Sequence, residues 1–194
     1  MMTPSPFGRV VAYTPITYFK ISMHRCYSTF MSKFVTQNDI IYRNNIDVRC
    51  KRDIFFYTVL NVDNYKYFLP YITDSKITEK TERYLKANLQ MENILFKEKY
   101  NSLIHFSFPK TITVSSLDTN IFHHLLTEWI ITEKTGCINV DFYINFRLKN
   151  NIYQNFMHMY IKELGKKILY SFIRESRANS LKNVDALLRS LIKK

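Results

Sequence analysis

His123 and His124 stand side by side, with Glu128 and Asp141 a little further along. These are the residue types that hold metal ions or exchange protons. Neighbours on a strand point to opposite faces, so the two histidines cannot share one ion without a bulge. No cysteine or further histidine lies close to them in sequence, and no metal site is expected. Glu128 and Asp141 would make a general acid/base pair if their strands adjoined. No nucleophile arrangement accompanies them, so solvated charges on a wet sheet face are the ordinary reading and no catalytic residue is assigned.

A second cluster has a different chemistry. "YKYFLPY", Tyr65 to Tyr71, concentrates aromatics around Leu69 and Pro70. Pro70 lacks an N–H and cannot continue a helix, so it ends one and aims the chain into the next element. Such a cluster fills a core or lines an apolar path, and Trp129, Phe142, Phe146, Phe156 and Tyr160 face the same choice between packing and cavity wall.

Other chemistries are poorly supplied. Cys26, Cys50 and Cys137 are far apart with no C-x-x-C pair, and read as free thiols. With only 3 glycines the chain has no loop of the kind that cradles a phosphate. No apolar run approaches the roughly 18 to 20 residues of a membrane-spanning helix.

Charge is abundant and uneven. The net charge is +12, and half of it falls between Lys162 and Lys194, where nine lysines and arginines meet three acidic residues. A basic end serves nucleic acid, ribosomes or an anionic membrane, or is a solvated face. From Met1 to Asn38 there is no acidic residue, while Arg9, Lys20, Arg25 and Lys33 are scattered among Ser, Thr, Tyr and Phe. That composition suits a transit peptide, with an ordinary N-terminus that lacks acids by chance, or translation starting at Met31, as the alternatives. "RCYST" resembles a mitochondrial processing pattern with the cut between Tyr27 and Ser28, giving a leader at 1–27 and a linker at 28–38.

The positioning elements follow from periodicity. Asp39 to Val48 reads as a strand. Phe55, Val59 and Val62 then recur at helical spacing, and Asp63 is expected to cap a second short helix that ends before Pro70. Strands are expected near 71–80, 82–93, 95–108, 110–117, 121–132 and 137–147, with turns at 118–120 and 134–136. In "CINVDFYINFRL" Ile138, Val140, Phe142, Ile144 and Phe146 share a dry face. A long helix follows, with Tyr153, Phe156, Met157, Tyr160, Leu164, Ile168 and Phe172 as its apolar stripe. Beyond it, Leu181 to Ile192 suggests a basic amphipathic tail, residues 178–194, with Ser180 as its cap.

This order resembles the α+β helix-grip arrangement of START-type and plant-allergen-like domains: a curved antiparallel sheet of about seven strands around a long C-terminal helix, with two short helices after the first strand. More specifically, "YKYFLPYITDSKI", "IFHHLLTEWII" and "CINVDFYINFRLKNNIYQNFM" together resemble the mitochondrial coenzyme Q-binding protein family. Tyr65, Phe68, Pro70, Phe122, His124, Leu125, Trp129, Asp141, Phe142 and Phe146 carry the match, over roughly residues 39 to 177. Tyr71 stands where a Trp is usual, Asn139 where a small hydroxyl is common, and "ENILFKEKY" lacks the usual Gly-Phe-Pro turn.

The resemblance implies a non-enzymatic protein on the matrix side of the mitochondrial inner membrane, holding ubiquinone or its polyprenyl precursors as ligand, with no cofactor and no nucleic-acid partner. Phe68, Leu69, Pro70, Tyr71, Trp129, Phe142, Phe146, Phe156 and Tyr160 become its expected ligand contacts. His124 gains a quinone carbonyl as an alternative to a structural hydrogen bond. Lys166, Lys167, Arg174, Lys182 and Arg189 become its expected contacts with an anionic membrane, and respiratory or biosynthetic proteins its further partners. Two rivals remain: a ribosome-associating factor like the bacterial toxin of this fold, and a cyclase-like enzyme acting on a small aromatic substrate.

Overall fold

Alternation of apolar and polar residues builds most of the molecule, and the computed structural model describes residues 38–92 and 96–180. The expected leader, the linker up to residue 37, residues 93–95 of "ENILFKEKY" and the tail from residue 181, with Lys182 and Arg189, lie outside the described residues.

The chain runs β1 (Ile40–Val48), α1 (Arg52–Leu60), a 3-10 turn (Val62–Asn64), α2 (Tyr65–Phe68), β2 (Ile72–Lys80), β3 (Tyr84–Glu92), β4 (Lys97–Ser107), β5 (Thr111–Ser116), β6 (Phe122–Lys134), β7 (Cys137–Leu148) and α3 (Asn151–Asn179). The strands form one antiparallel sheet of order β1-β7-β6-β5-β4-β3-β2. Because β1 and β2 occupy opposite edges, the segment between them must cross the whole end of the sheet. The two short helices make that crossing. α1 is buried from Ile54 to Leu60 and packs against α3, β5 and β6.

On β7 the inner face is the expected one, with Val140 and Phe142 fully buried. Gly136, in the left-handed region at φ +75°, makes the β6–β7 turn where a side chain would be strained.

α3 starts at Asn150, whose side chain accepts from Ile152 N and Tyr153 N, the ordinary way to satisfy free amides at a helix start. Gln154 ties this end to the sheet, accepting from Leu148 N and donating to Asn38 O. Further along, a Cβ on Gly165 would sit 2.5 Å from the Tyr42 ring, so glycine is what lets the helix lie directly on β1.

Two expectations are corrected. Asp63 does not cap α2, which has no side-chain cap; its Oδ1 accepts from Ile77 N at 2.6 Å and pins the middle of β2 to the crossing segment. The buried stripe of α3 is also wider, because Ile161, Leu169 and Ile173 are buried with Met157, Leu164 and Phe172 while Tyr153, Phe156, Tyr160 and Ile168 are only half-buried. A helix gripped by a curved sheet has more than one face to bury.

Candidate functional site

Among the strands α3 packs chiefly on β1 and β7, and between the helix and the other strands a cavity remains. Three of the side chains they carry there are small, Ser102 on β4, Val114 on β5 and Thr127 on β6, beside larger ones such as Met91, Tyr100, Phe122, Leu125 and Trp129. Register sets the small ones in a diagonal row, with Ser102 opposite Ser116 and Val114 opposite Thr127. The space left is a cavity of about 190 Å³. Met157, Tyr160, Ile161, Leu164, Ile168 and Phe172 wall it on the helix side.

One end of the cavity is closed by rings. Trp129 stacks on Phe142 at 4.0 Å and meets Phe172 edge-on at 4.8 Å, with Tyr65 and Phe68 each 5.2 Å from Phe172. Contacts of this geometry add directionality to burial.

The half-buried rim is made by Leu69, Pro70, Tyr71, Ile72 and Tyr160. Tyr71 sits at φ +65°, a left-handed conformation that a bulky residue rarely adopts. It is held from both ends. Its carbonyl accepts from Glu92 N at 2.8 Å, and its Oη lies 2.8 Å from Tyr160 Oη, which accepts from Lys167 Nζ at 2.9 Å. The Lys167 hydrogen bond draws the Tyr160 phenol below its ordinary range. A strained residue held this way is a candidate moving part.

Apart from Glu98, Ser102 and Thr127 the rest of the wall is apolar or aromatic, and the Tyr65 and Tyr100 hydroxyls are occupied. Tyr65 Oη donates to Val59 O, and Tyr100 Oη lies 3.7 Å from Met91 Sδ. Burial pushes both phenols up, Tyr100 to about 12 and Tyr65 further, so both are neutral donors.

Of the expected ligand contacts, Leu69, Pro70, Tyr71, Trp129, Phe142, Phe146 and Tyr160 line the cavity. Phe68 and Phe156 do not. Phe68 turns to Tyr65 and Phe172 and borders an outer groove, and Phe156 stacks on Tyr160 from behind at 5.7 Å. That outer groove, about 570 Å³, shares Leu69 and Pro70 with the rim and is bordered by Lys66, Lys167 and Arg174 beside Tyr67 and Tyr170. Lys166, Lys167 and Arg174 are all exposed on α3.

The proton-exchanging residues of the sequence lie elsewhere. β6 and β7 do adjoin, but Glu128 and Asp141 point away from the cavity, and Asp141 accepts both Nε and Nη2 of Arg43. That pairing raises the guanidinium further above its ordinary value. His124 Nε2 lies 3.0 Å from Asn145 Oδ1 on β7, a structural contact, and does not line the cavity.

Sequence reasoning missed Ser102, Tyr100, Thr127 and Met91 on the wall. The signal was present for β4: in "YNSLIHF" the inward positions are Tyr100, Ser102 and Ile104, and the serine breaks an apolar series.

The model of the family described as polyketide cyclase / dehydrase and lipid transport matches residues 55–173. The mitochondrial coenzyme Q-binding protein COQ10 of Drosophila melanogaster is 24% identical over 172 residues, covering 84% of this chain and 68% of its own. Its Schizosaccharomyces pombe counterpart is 23% identical over 141 residues, covering 70% of this chain and 86% of its own. Among solved structures, the Zhui aromatase/cyclase of Streptomyces superposes with a TM-score of 0.65 at 13% identity, over 73% of this chain and 96% of its own, a likeness of fold.

Proposed function

Since the chain belongs to the polyketide cyclase/dehydrase and lipid transport family, we propose that it is a non-enzymatic carrier of ubiquinone or its polyprenylated precursors. It takes up the lipid in the cavity between sheet and helix and delivers it at the mitochondrial inner membrane, on the matrix side, in support of respiratory electron transport and ubiquinone synthesis. The observation that carries this reading is a ring-lined, largely apolar cavity between sheet and helix, with the half-buried cluster Leu69 to Ile72 and Tyr160 on its lining.

A volume of 190 Å³ lies below the roughly 300–1,000 Å³ of pockets that enclose a drug-sized ligand. It suits a ring and the first part of a tail, with the remainder leaving through the rim. Each methylene kept from water contributes about 0.8 kcal/mol, so a tail favours a route that stays apolar from cavity to bilayer. Leu69 and Pro70 supply its first step. Beside them Lys66, Lys167 and Arg174 offer positive charge to an anionic surface, at about 1 kcal/mol for each cation close to it. The relatives named as mitochondrial and the acid-free residues 1–38 support the compartment. Glu128 and Asp141 are turned away from the cavity, and Glu98 is the acidic side chain on its lining among the described residues.

The chain's 1 tryptophan is Trp129, which lines the cavity, so it reports occupancy directly. Titration with a short-tailed ubiquinone is expected to quench its fluorescence saturably, with one site. Quenching that stays linear in quinone, as free collision gives, would reject the reading.

A further inference from the structure

Ser102 is fully buried at the centre of β4, faces the cavity, and its Oγ has no hydrogen-bond partner among the described residues. A hydroxyl in that state is costly, because folding removes its water partners and returns nothing. Its neighbours sharpen the anomaly. Ala87, its partner on β3, is fully buried, and Tyr100 and Ile104, the inward residues on either side, are buried apolar surface or an occupied phenol. An alanine or valine at 102 would suit an empty apolar wall better.

Resting on the carrier reading above, we propose that Ser102 is the headgroup anchor of the cavity: its hydroxyl donates a hydrogen bond to a ring oxygen of the bound quinone. The ring then enters first and lies against the small row Ser102, Val114 and Thr127, while the tail leaves past Tyr71 and Tyr160. The chemistry matches on both sides. A quinone carbonyl accepts hydrogen bonds and has none to offer, and Ser102 holds a free donor. The apolar and aromatic part of the wall takes the ring faces and the first isoprene units. Selection among lipids follows: a tail of the same length without a ring oxygen gains the apolar wall but leaves the Ser102 hydroxyl unmet.

The test compares the full chain with Ser102→Ala, using a short-tailed ubiquinone and a tail-matched prenyl arene without ring oxygens, read by Trp129 quenching. A net hydrogen bond corresponds to about 2–10-fold in affinity, so Ser102→Ala is expected to lose that much for the quinone and less than twofold for the arene. The quinone carbonyl stretch should shift to lower frequency in the parent and return in the variant. The empty variant should melt no lower than the parent, which separates lost recognition from lost folding. Equal quinone affinity in parent and variant would overturn the anchor. So would a loss that appears in Thr127→Val instead, which moves the contact to β6. If the parent binds arene and quinone equally, the anchor falls and the carrier stands; if it binds neither, both fall.

Discussion

The long helix meets the two halves of its sheet in opposite ways. Over β1 it comes as close as backbone allows, with Gly165 against the Tyr42 ring and no room for a Cβ. Over β4 and β5 a gap remains, where Ser102, Val114 and Thr127 leave room beside the larger Tyr100, Phe122 and Leu125, while further along β6 Trp129 reaches Phe172 of the helix at 4.8 Å. Close approach on one side is what permits separation on the other, because a helix tilted onto one edge of a curved sheet leaves the opposite wall uncovered. The cavity is therefore a consequence of where glycine and small residues fall along ordinary strands and one helix.

This contrast is open to attack from several directions. The strongest is Trp129→Ala, which removes the ring that closes the cavity's packed end. Such truncations cost about 3–5 kcal/mol, expected here as a lowered urea midpoint followed by circular dichroism. A loss under about 1 kcal/mol would mean that this end is not a core. Next is Gly165→Ala, which forces α3 away from β1 and should cost about 1–3 kcal/mol by overpacking. Adding Tyr42→Leu should recover part of that loss, because the two residues are in contact and couple. Independent, additive effects would contradict the close approach.

The opposite half predicts the opposite pattern. Val114→Phe fills the gap that the helix leaves, so it should lower ubiquinone affinity at least tenfold, about 1.4 kcal/mol, while the empty protein keeps its melting temperature. An unaltered affinity would place the ligand elsewhere. The smallest effect is expected at the rim. Tyr71→Phe removes one hydroxyl from the Tyr71–Tyr160–Lys167 chain, worth about 0.5–1.5 kcal/mol, and should appear as faster ligand release in a stopped-flow exchange with empty vesicles. Slower release would assign those hydroxyls to the ligand rather than to closure.

Much of this contrast could be read from the residues, for identifiable reasons. The strands were legible because each has one face inside and one outside, which writes alternation into the sequence; on β7 it runs unbroken from Ile138 to Phe146. Leu69, Pro70 and Tyr71 were picked out through the family resemblance, because the residues alone left core and apolar path open and the proline marked only where the helix must stop. What was not legible depends on long-range partners. Asp63 looks like a helix cap until β2 brings Ile77 N to it. Phe68 looks like part of the path until the one-turn helix α2 turns it to Tyr65 and Phe172. Ile161, Leu169 and Ile173 escape a single-stripe reading because the helix is buried over a wider arc. Ser102 is the instructive omission. A serine in a β-strand is unremarkable until the cavity it faces is known.

The most direct measurement is lipid mass spectrometry on the full chain, purified from a ubiquinone-producing host beside its Val114→Phe version, both shown to be folded. The carrier account predicts quinone near one per chain in the parent and little in the variant. A folded parent that arrives empty and takes no quinone from loaded liposomes would contradict it.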